Sequence, residues 1–143
     1  FEKAITYSKK VAMSLSDLFC VDRHKTHFLD LVKNKLDIVF ANEQEIISLS
    51  NAKSFDEVIS FSKQARKNII ITRGEKGAIS INQDEIFEVK AKENLNIKDL
   101  TGAGDLFAAG YLHGLINNAP AKDCLIKGTE LSSKIIQKIG ARI

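Results

Sequence analysis

A three-layer αβα Rossmann-like fold, formed as one domain over residues 1–143, is predicted by three features of the sequence. Strand-length apolar runs alternate with segments of helical periodicity. One run, "NIIIT" (68–72), is apolar up to its last residue, as expected of a strand covered on both faces by crossover helices, so a mostly parallel sheet follows. A composition of 44 % hydrophobic and 27 % charged residues fits one packed unit with a sizeable core.

Taken in order, residues 2 to 10 end a helix and "VAMSLSD" (11–17) reads as a short buried strand carrying Ser14, Ser16 and Asp17 at its exit. "HKTHFLDLVKN" (24–34) sets Phe28, Leu31 and Val32 on one helical face. "LDIVFA" (36–41) is a second strand, after which Asn42 can cap a helix with Glu45 three residues on, the spacing of a capping box. Ser54 opens a further helix, with Phe55, Val58, Ile59 and Ser62 on its inner face. After "NIIIT" comes the turn "RGEKG", then "AISIN" and "EIFEVKA" as strands around "QDE". A glycine-rich turn from Thr101 leads into the helix "DLFAAGYLHGLIN", and Pro120 starts the last helix where proline costs least.

Composition also narrows the function. A formal charge of +3, from 21 basic and 18 acidic residues interleaved along the chain, forms no stripe of the kind that binds nucleic acid. No apolar run approaches the length of a membrane span, and no segment resembles a signal peptide, so a cytoplasmic protein without nucleic-acid or membrane partners is expected. Cys20 and Cys124 read as two buried thiols, and His24, His27 and His113 lack the converging partners of a zinc site. The chain opens at Phe1, so its natural start is expected to lie upstream.

The stretch that carries chemistry is "KDLTGAGDLFAAG" (98–110), which places Asp105 among glycines directly before an apolar helix. Glycines at 102 and 104 let a ligand approach backbone N–H groups, and a helix starting near Gly104 leaves its first amides unpaired, an anion site favoured by the helix dipole. A carboxylate beside a phosphate cradle can take the proton of an attacking alcohol. Equally, Asp105 can be only a helix-start carboxylate next to a tight turn. The segment lacks the ending of a Walker A loop and the spacing of a dinucleotide fingerprint.

"DLTGAGDLFAAG" (99–110) resembles the C-terminal signature of the ribokinase-like, or PfkB, carbohydrate and nucleoside kinases, with Leu100 in place of the signature's first threonine. The resemblance implies that Asp105 is the general base and that the backbone of Gly102, Ala103 and Gly104 forms the anion hole, with Thr101 beside the phosphates. "NEQE" looks like the family's magnesium-organising motif, which implies metal roles for Asn42 and Glu45 through a hydrated ion. "TRGEKG" looks like its nucleotide segment, which implies that Thr72, Gly74 and Gly77 approach ATP, and the resemblance extends through "KIIQKIGARI". Asn117, Gly128 and Ser132 become candidates for the adenine slot. Taken without the resemblance, Asn42 and Glu45 are also a capped helix start, and Gly74 and Gly77 a plain turn.

Within the family the sequence looks closest to adenosine-kinase-like sugar kinases, where a strand resembling "SLSDLFCVDRH" would bring Asp17, Phe19 and Arg23 near the crevice; the alternative for Asp17 and Arg23 is a capping and solubilising role. Lys76 and Arg73 could neutralise a nucleotide phosphate or simply be wet. The resemblance implies an ATP-dependent kinase using Mg²⁺, with K⁺ as a further admitted cation, acting on a primary hydroxyl of a sugar or nucleoside. It also implies that the chain is the C-terminal ATP-binding and catalytic portion, without the family's substrate residues, Gly-Gly hinge and β lid, and so weakly active or inactive alone. A sheet edge bared in this way invites pairing with a second copy, a homodimer. A vitamin-type kinase acting on pyridoxal or hydroxymethylpyrimidine, and a non-catalytic nucleotide-binding relative, are the alternatives.

Overall fold

The structure is a computed structural model that describes residues 2–142; Phe1 and Ile143, the outer ends of the resemblance, lie outside the described residues. Its elements are α1 (Glu2–Tyr7), β1 (Ala12–Ser14), α2 (Leu18–Arg23), α3 (Lys25–Asn34), β2 (Ile38–Asn42), α4 (Glu43–Ser50), α5 (Phe55–Ala65), β3 (Asn68–Thr72), β4 (Ala78–Asn82), β5 (Glu85–Val89), α6 (Ala103–Ile116) and α7 (Ala121–Ile135). The strands hydrogen-bond in the order β1-β2-β3-β4-β5, and β1 runs parallel to β2 with Ala12, Met13 and Ser14 opposite Ile38, Val39 and Phe40.

The sheet is mixed rather than mostly parallel. Helices separate β1, β2 and β3, but only a 3₁₀ turn at Gly74–Lys76 separates β3 from β4, and a two-residue turn separates β4 from β5. Parallel neighbours need a dozen or more connecting residues, which these turns cannot supply.

The chain divides into two compact units. The first comprises Phe1–Ile71 and Ile81–Ile86. Its core holds Val39 and Phe40 from β2, Ile69 and Ile70 from β3, and Ile46, Leu49 and Val58 from the neighbouring helices. The predicted strand over 11–17 shrinks to three residues, because Ser16 turns to φ 69° and Asp17 accepts from the Phe19 N–H at 2.7 Å, capping α2. Residues 18–23 are therefore helical, not extended. Ala12 and Ser14 are exposed, so this strand is not a buried one. Cys20 is exposed as well, because α2 turns Val21 inward instead.

The second unit comprises Thr72–Ser80 and Phe87–Ile143. Its centre is the crossing of α6 and α7, where glycine replaces side chain on both helices. A Cβ on Gly110 would lie 2.7 Å from the Lys127 carbonyl oxygen, one on Gly128 2.8 Å from that of Phe107, and one on Gly114 2.9 Å from Cys124 Sγ. Helix backbones thus touch directly, and Phe107, Tyr111, Leu125 and Ile135 fill the surrounding core. Tyr111 also ties α6 to β4, its hydroxyl lying 3.3 Å from Ser80 Oγ.

Gly110→Ala is expected to destabilise the protein by about 1–3 kcal/mol, although alanine is the better helix former by about 1 kcal/mol. Gly104→Ala, where a Cβ would meet nothing within 4 Å, is expected to hold or raise stability. Urea unfolding of both variants checks the contrast.

Candidate active site

Asp105 sits in the first turn of α6. The helix begins at Gly102, whose φ of 77° is a left-handed conformation that residues with a side chain rarely adopt, and a Cβ there would approach Ala141 Cβ to 2.9 Å. Gly102 supplies no side-chain cap. Ala103 N–H donates to the Leu100 carbonyl at 3.1 Å, and Leu106 N–H closes the first helical bond to Gly102 at 2.9 Å. Between them, the N–H groups of Gly104 and Asp105 have no acceptor among the described residues. Both residues are exposed, and the Asp105 carboxylate has no hydrogen bond or ion pair among the described residues. Two free amides at a helix start attract an anion, and a free carboxylate in the same turn can accept a proton.

This turn borders a groove of about 900 Å³ within the second unit. Of the residues singled out from sequence, Thr72, Gly74, Gly77, Ala103, Gly104 and Ser132 line it. Lys76, Lys90 and Lys92 add positive charge to the wall and Glu75 and Glu93 negative charge, with Lys92 also 3.9 Å from Glu130, while Leu95, Ile97 and Phe107 add apolar surface. A polyanion with a flat apolar ring, as in a nucleoside triphosphate, suits that mixture.

Other candidates are placed differently. Gly77 is glycine for a local reason as well, since its φ is 96° and a Cβ would sit 2.0 Å from the Val89 carbonyl oxygen. Arg73 pairs with Glu88 at 2.9 Å. Thr101 gives both its N–H and its hydroxyl to Asp99 Oδ1, at 2.9 and 2.7 Å. Asn117 caps the C-terminal end of α6 and donates to the His113 carbonyl at 2.7 Å, outside the groove lining. Gly128 is buried at the helix crossing and is also absent from the lining.

Sequence reasoning passed over Thr129, Ser133 and Ile136, which line the groove beside Ser132. Their spacing on α7, at i, i+3, i+4 and i+7 from Thr129, is the signal that could have found them. Thr129 Oγ1 is buried without a hydrogen-bond partner among the described residues.

Asn42 and Glu45 belong to the first unit. They form the capping box of α4: Asn42 Oδ1 accepts from the Glu45 N–H at 2.8 Å, while Glu45 accepts from the Asn42 N–H at 2.9 Å and its Nδ2 at 2.8 Å. Burial pushes the Glu45 carboxyl above the usual carboxylate range; the Asn42 N–H pulls the other way, and the Asp17 charge adds to the rise. A cation nearby would relieve both the burial and the repulsion. Among the described residues no group of three His, Cys, Asp or Glu side chains could hold a metal ion. Asn42 and Glu45 offer oxygen acceptors, the donor type Mg²⁺ takes, largely through its own waters.

The chain matches the family model for pfkB family carbohydrate kinases over residues 2–143. It is 32 % identical over 114 residues to cytidine kinase of Thermococcus kodakarensis, covering 76 % of this chain and 40 % of that protein. Among solved structures, adenosine kinase from Sinorhizobium meliloti superposes with a TM-score of 0.94 at 34 % identity, covering 99 % of this chain and 44 % of that one. A probable sugar kinase protein from Rhizobium etli gives a TM-score of 0.92 at 38 % identity, covering 99 % and 43 %. The chain thus spans well under half the length of these relatives. Among the described residues no helix is long and apolar enough to cross a membrane.

Thr129→Val, which removes the unpaired hydroxyl and keeps the shape, is expected to raise the stability of the ligand-free protein by about 1–2 kcal/mol. A urea midpoint below that of the unsubstituted protein would show that Oγ1 has a partner after all.

Proposed function

Because the chain belongs to the pfkB family of carbohydrate kinases, we propose that it carries the nucleotide-binding and catalytic portion of an ATP-dependent kinase acting on a hydroxymethyl group of a sugar or nucleoside. The observation that carries this reading is the pairing, within one helical turn, of two unpaired amides with an unpaired, exposed carboxylate at Asp105. The names of the relatives, cytidine kinase, adenosine kinase and probable sugar kinase, support the acceptor class.

In the proposed reaction Asp105 takes the proton of the acceptor hydroxyl. The alcohol oxygen forms a bond to the γ-phosphorus of ATP as the bond from that phosphorus to the bridging oxygen breaks, and ADP leaves with that electron pair. The Gly104 and Asp105 N–H groups, with Gly102 and Ala103 shaping the turn, hold the charge that the transferring group carries. Thr72, Gly74, Gly77 and Ser132 are proposed as walls of the nucleotide groove, and Thr101 as the residue that secures the turn. Asn42 and Glu45 are proposed to orient waters of a Mg²⁺ ion, which would neutralise phosphate charge. The proposed setting is the cytoplasm, which supplies ATP.

Turnover is proposed for the full-length protein, and phosphoryl transfer from Mg·ATP across a panel of sugars and nucleosides tests it. One acceptor is expected to react. Asp105→Asn is expected to lower kcat by about 10²–10⁴-fold, with nucleotide affinity changed by less than about threefold. Transfer at an undiminished rate in the variant would remove Asp105 from the role of base.

A further inference from the structure

α6 and α7 cross in opposite directions: Cys124 packs on Gly114, while Lys127 and Gly128 pack on Gly110 and Phe107, nearer the start of α6. The residues of α7 that follow lie alongside the first turn of α6, where the Gly104 and Asp105 amides are free. Thr129, Ser132 and Ser133 form the groove-lining row of that stretch, with Ile136 one turn on. The row lacks partners of its own. Thr129 is 9 % exposed, and its Oγ1 is buried with no hydrogen-bond partner among the described residues. Ser132 Oγ reaches only the Thr129 carbonyl, at 3.5 Å. A buried hydroxyl left unpaired costs free energy that the polar edge of a ligand can recover.

Adenine presents an amino donor at its 6-position, where guanine and hypoxanthine present an oxo acceptor. A carboxylate only accepts and an ammonium only donates, so a buried group of either kind admits one purine and rejects the other. A hydroxyl does both, because its O–H turns to suit the partner. Asn94, also in the lining, carries a donor and an acceptor on one amide. The lining groups of fixed polarity, Glu75, Lys76, Lys90, Lys92 and Glu93, are all exposed. An exposed charge keeps its water and distinguishes base edges weakly. Among the lining side chains, no buried group of fixed polarity chooses between purines.

Resting on the phosphoryl-transfer reading, we propose that the groove selects its phosphoryl donor by purine shape and not by the 6-substituent, so that GTP and ITP serve beside ATP, with the Thr129 hydroxyl pairing with either edge. The bonds that form and break are those of the ATP reaction, with GDP or IDP leaving in place of ADP.

The test uses the full-length protein with Mg²⁺, read by displacement of a fluorescent ATP analogue and by transfer kinetics with ATP, GTP and ITP. Their Kd values are expected to fall within about tenfold of one another, and their kcat/KM values likewise, whereas a buried group of fixed polarity would prefer one purine by about 10²-fold or more. That preference would overturn the proposal. Thr129→Val is expected to weaken ATP and GTP by the same factor, about three- to tenfold, as the loss of one neutral hydrogen bond does. A loss confined to one nucleotide, or no loss for either, would overturn the role of Thr129 and the proposal with it. Should Thr129→Val fail to fold, Ser132→Ala gives the same comparison.

Displacement needs no turnover, so it judges the donor breadth even if no acceptor on the panel reacts. An ATP analogue that does not bind at all would overturn the nucleotide reading and this proposal together; binding of ATP with rejection of GTP and ITP would overturn this proposal alone.

Discussion

Two helices that meet backbone to backbone set the terms for the second unit. Gly110 and Gly128 sit on opposite sides of the α6–α7 crossing, and neither could carry a methyl group without displacing a peptide carbonyl. Close packing of this kind is stiff, because the contacts lie between main chains rather than between side chains that can change rotamer. Gly114 against Cys124 repeats the arrangement further along α6. One side of α6 is thereby fixed to α7, and the Tyr111 hydroxyl fixes it to β4. The first turn of α6 projects from a rigid base.

What that turn offers follows from what it lacks. A helix start normally finds a side-chain cap, worth about 1 kcal/mol, but Gly102 has no side chain to give. The unpaired Gly104 and Asp105 amides are a cost in the free protein and a binding site when an anion arrives. Asp99 shows the same economy in reverse, since all three of its donors come from the protein and none of its capacity is turned toward the groove. In the first unit, Glu45 combines a structural role at the start of α4 with a charge that burial and Asp17 make uncomfortable. Where local stability is left incomplete, the chemistry of a ligand can complete it.

Much of the fold was legible because local signals agreed with one another. "NIIIT", "AISIN" and "EIFEV" became strands, and Asn42 and Ser54 became helix caps, as their side chains allow. The strand over 11–17 failed at Ser16, whose positive φ no propensity scale anticipates, and the helix behind it was hidden because Asp17 fits a strand exit as well as an N-cap. Strand direction was misjudged from apolar content, when the short turns after β3 and β4 already excluded a mostly parallel sheet. At the site, the glycine-rich turn is legible from its composition, and six residues assigned to the nucleotide or the phosphates (Thr72, Gly74, Gly77, Ala103, Gly104 and Ser132) line one groove. Gly128 suits an adenine slot by sequence, but it packs at the helix crossing and lies outside the groove lining, and nothing in the sequence near Asp99 marks its long-range contact. That partner, the Gly140 N–H, lies 41 residues away, a contact that one sequence does not reveal.

The free amides at the start of α6 are proposed to receive the phosphates of the nucleotide. A crystal structure with Mg²⁺ and a non-hydrolysable ATP analogue tests it most directly. A phosphate oxygen is expected about 2.7–3.2 Å from the Gly104 or Asp105 nitrogen, with the Asp105 carboxylate left free to face an acceptor. Phosphates bound elsewhere, with water on both amides, would contradict it and leave the glycine turn as a helix start and nothing more.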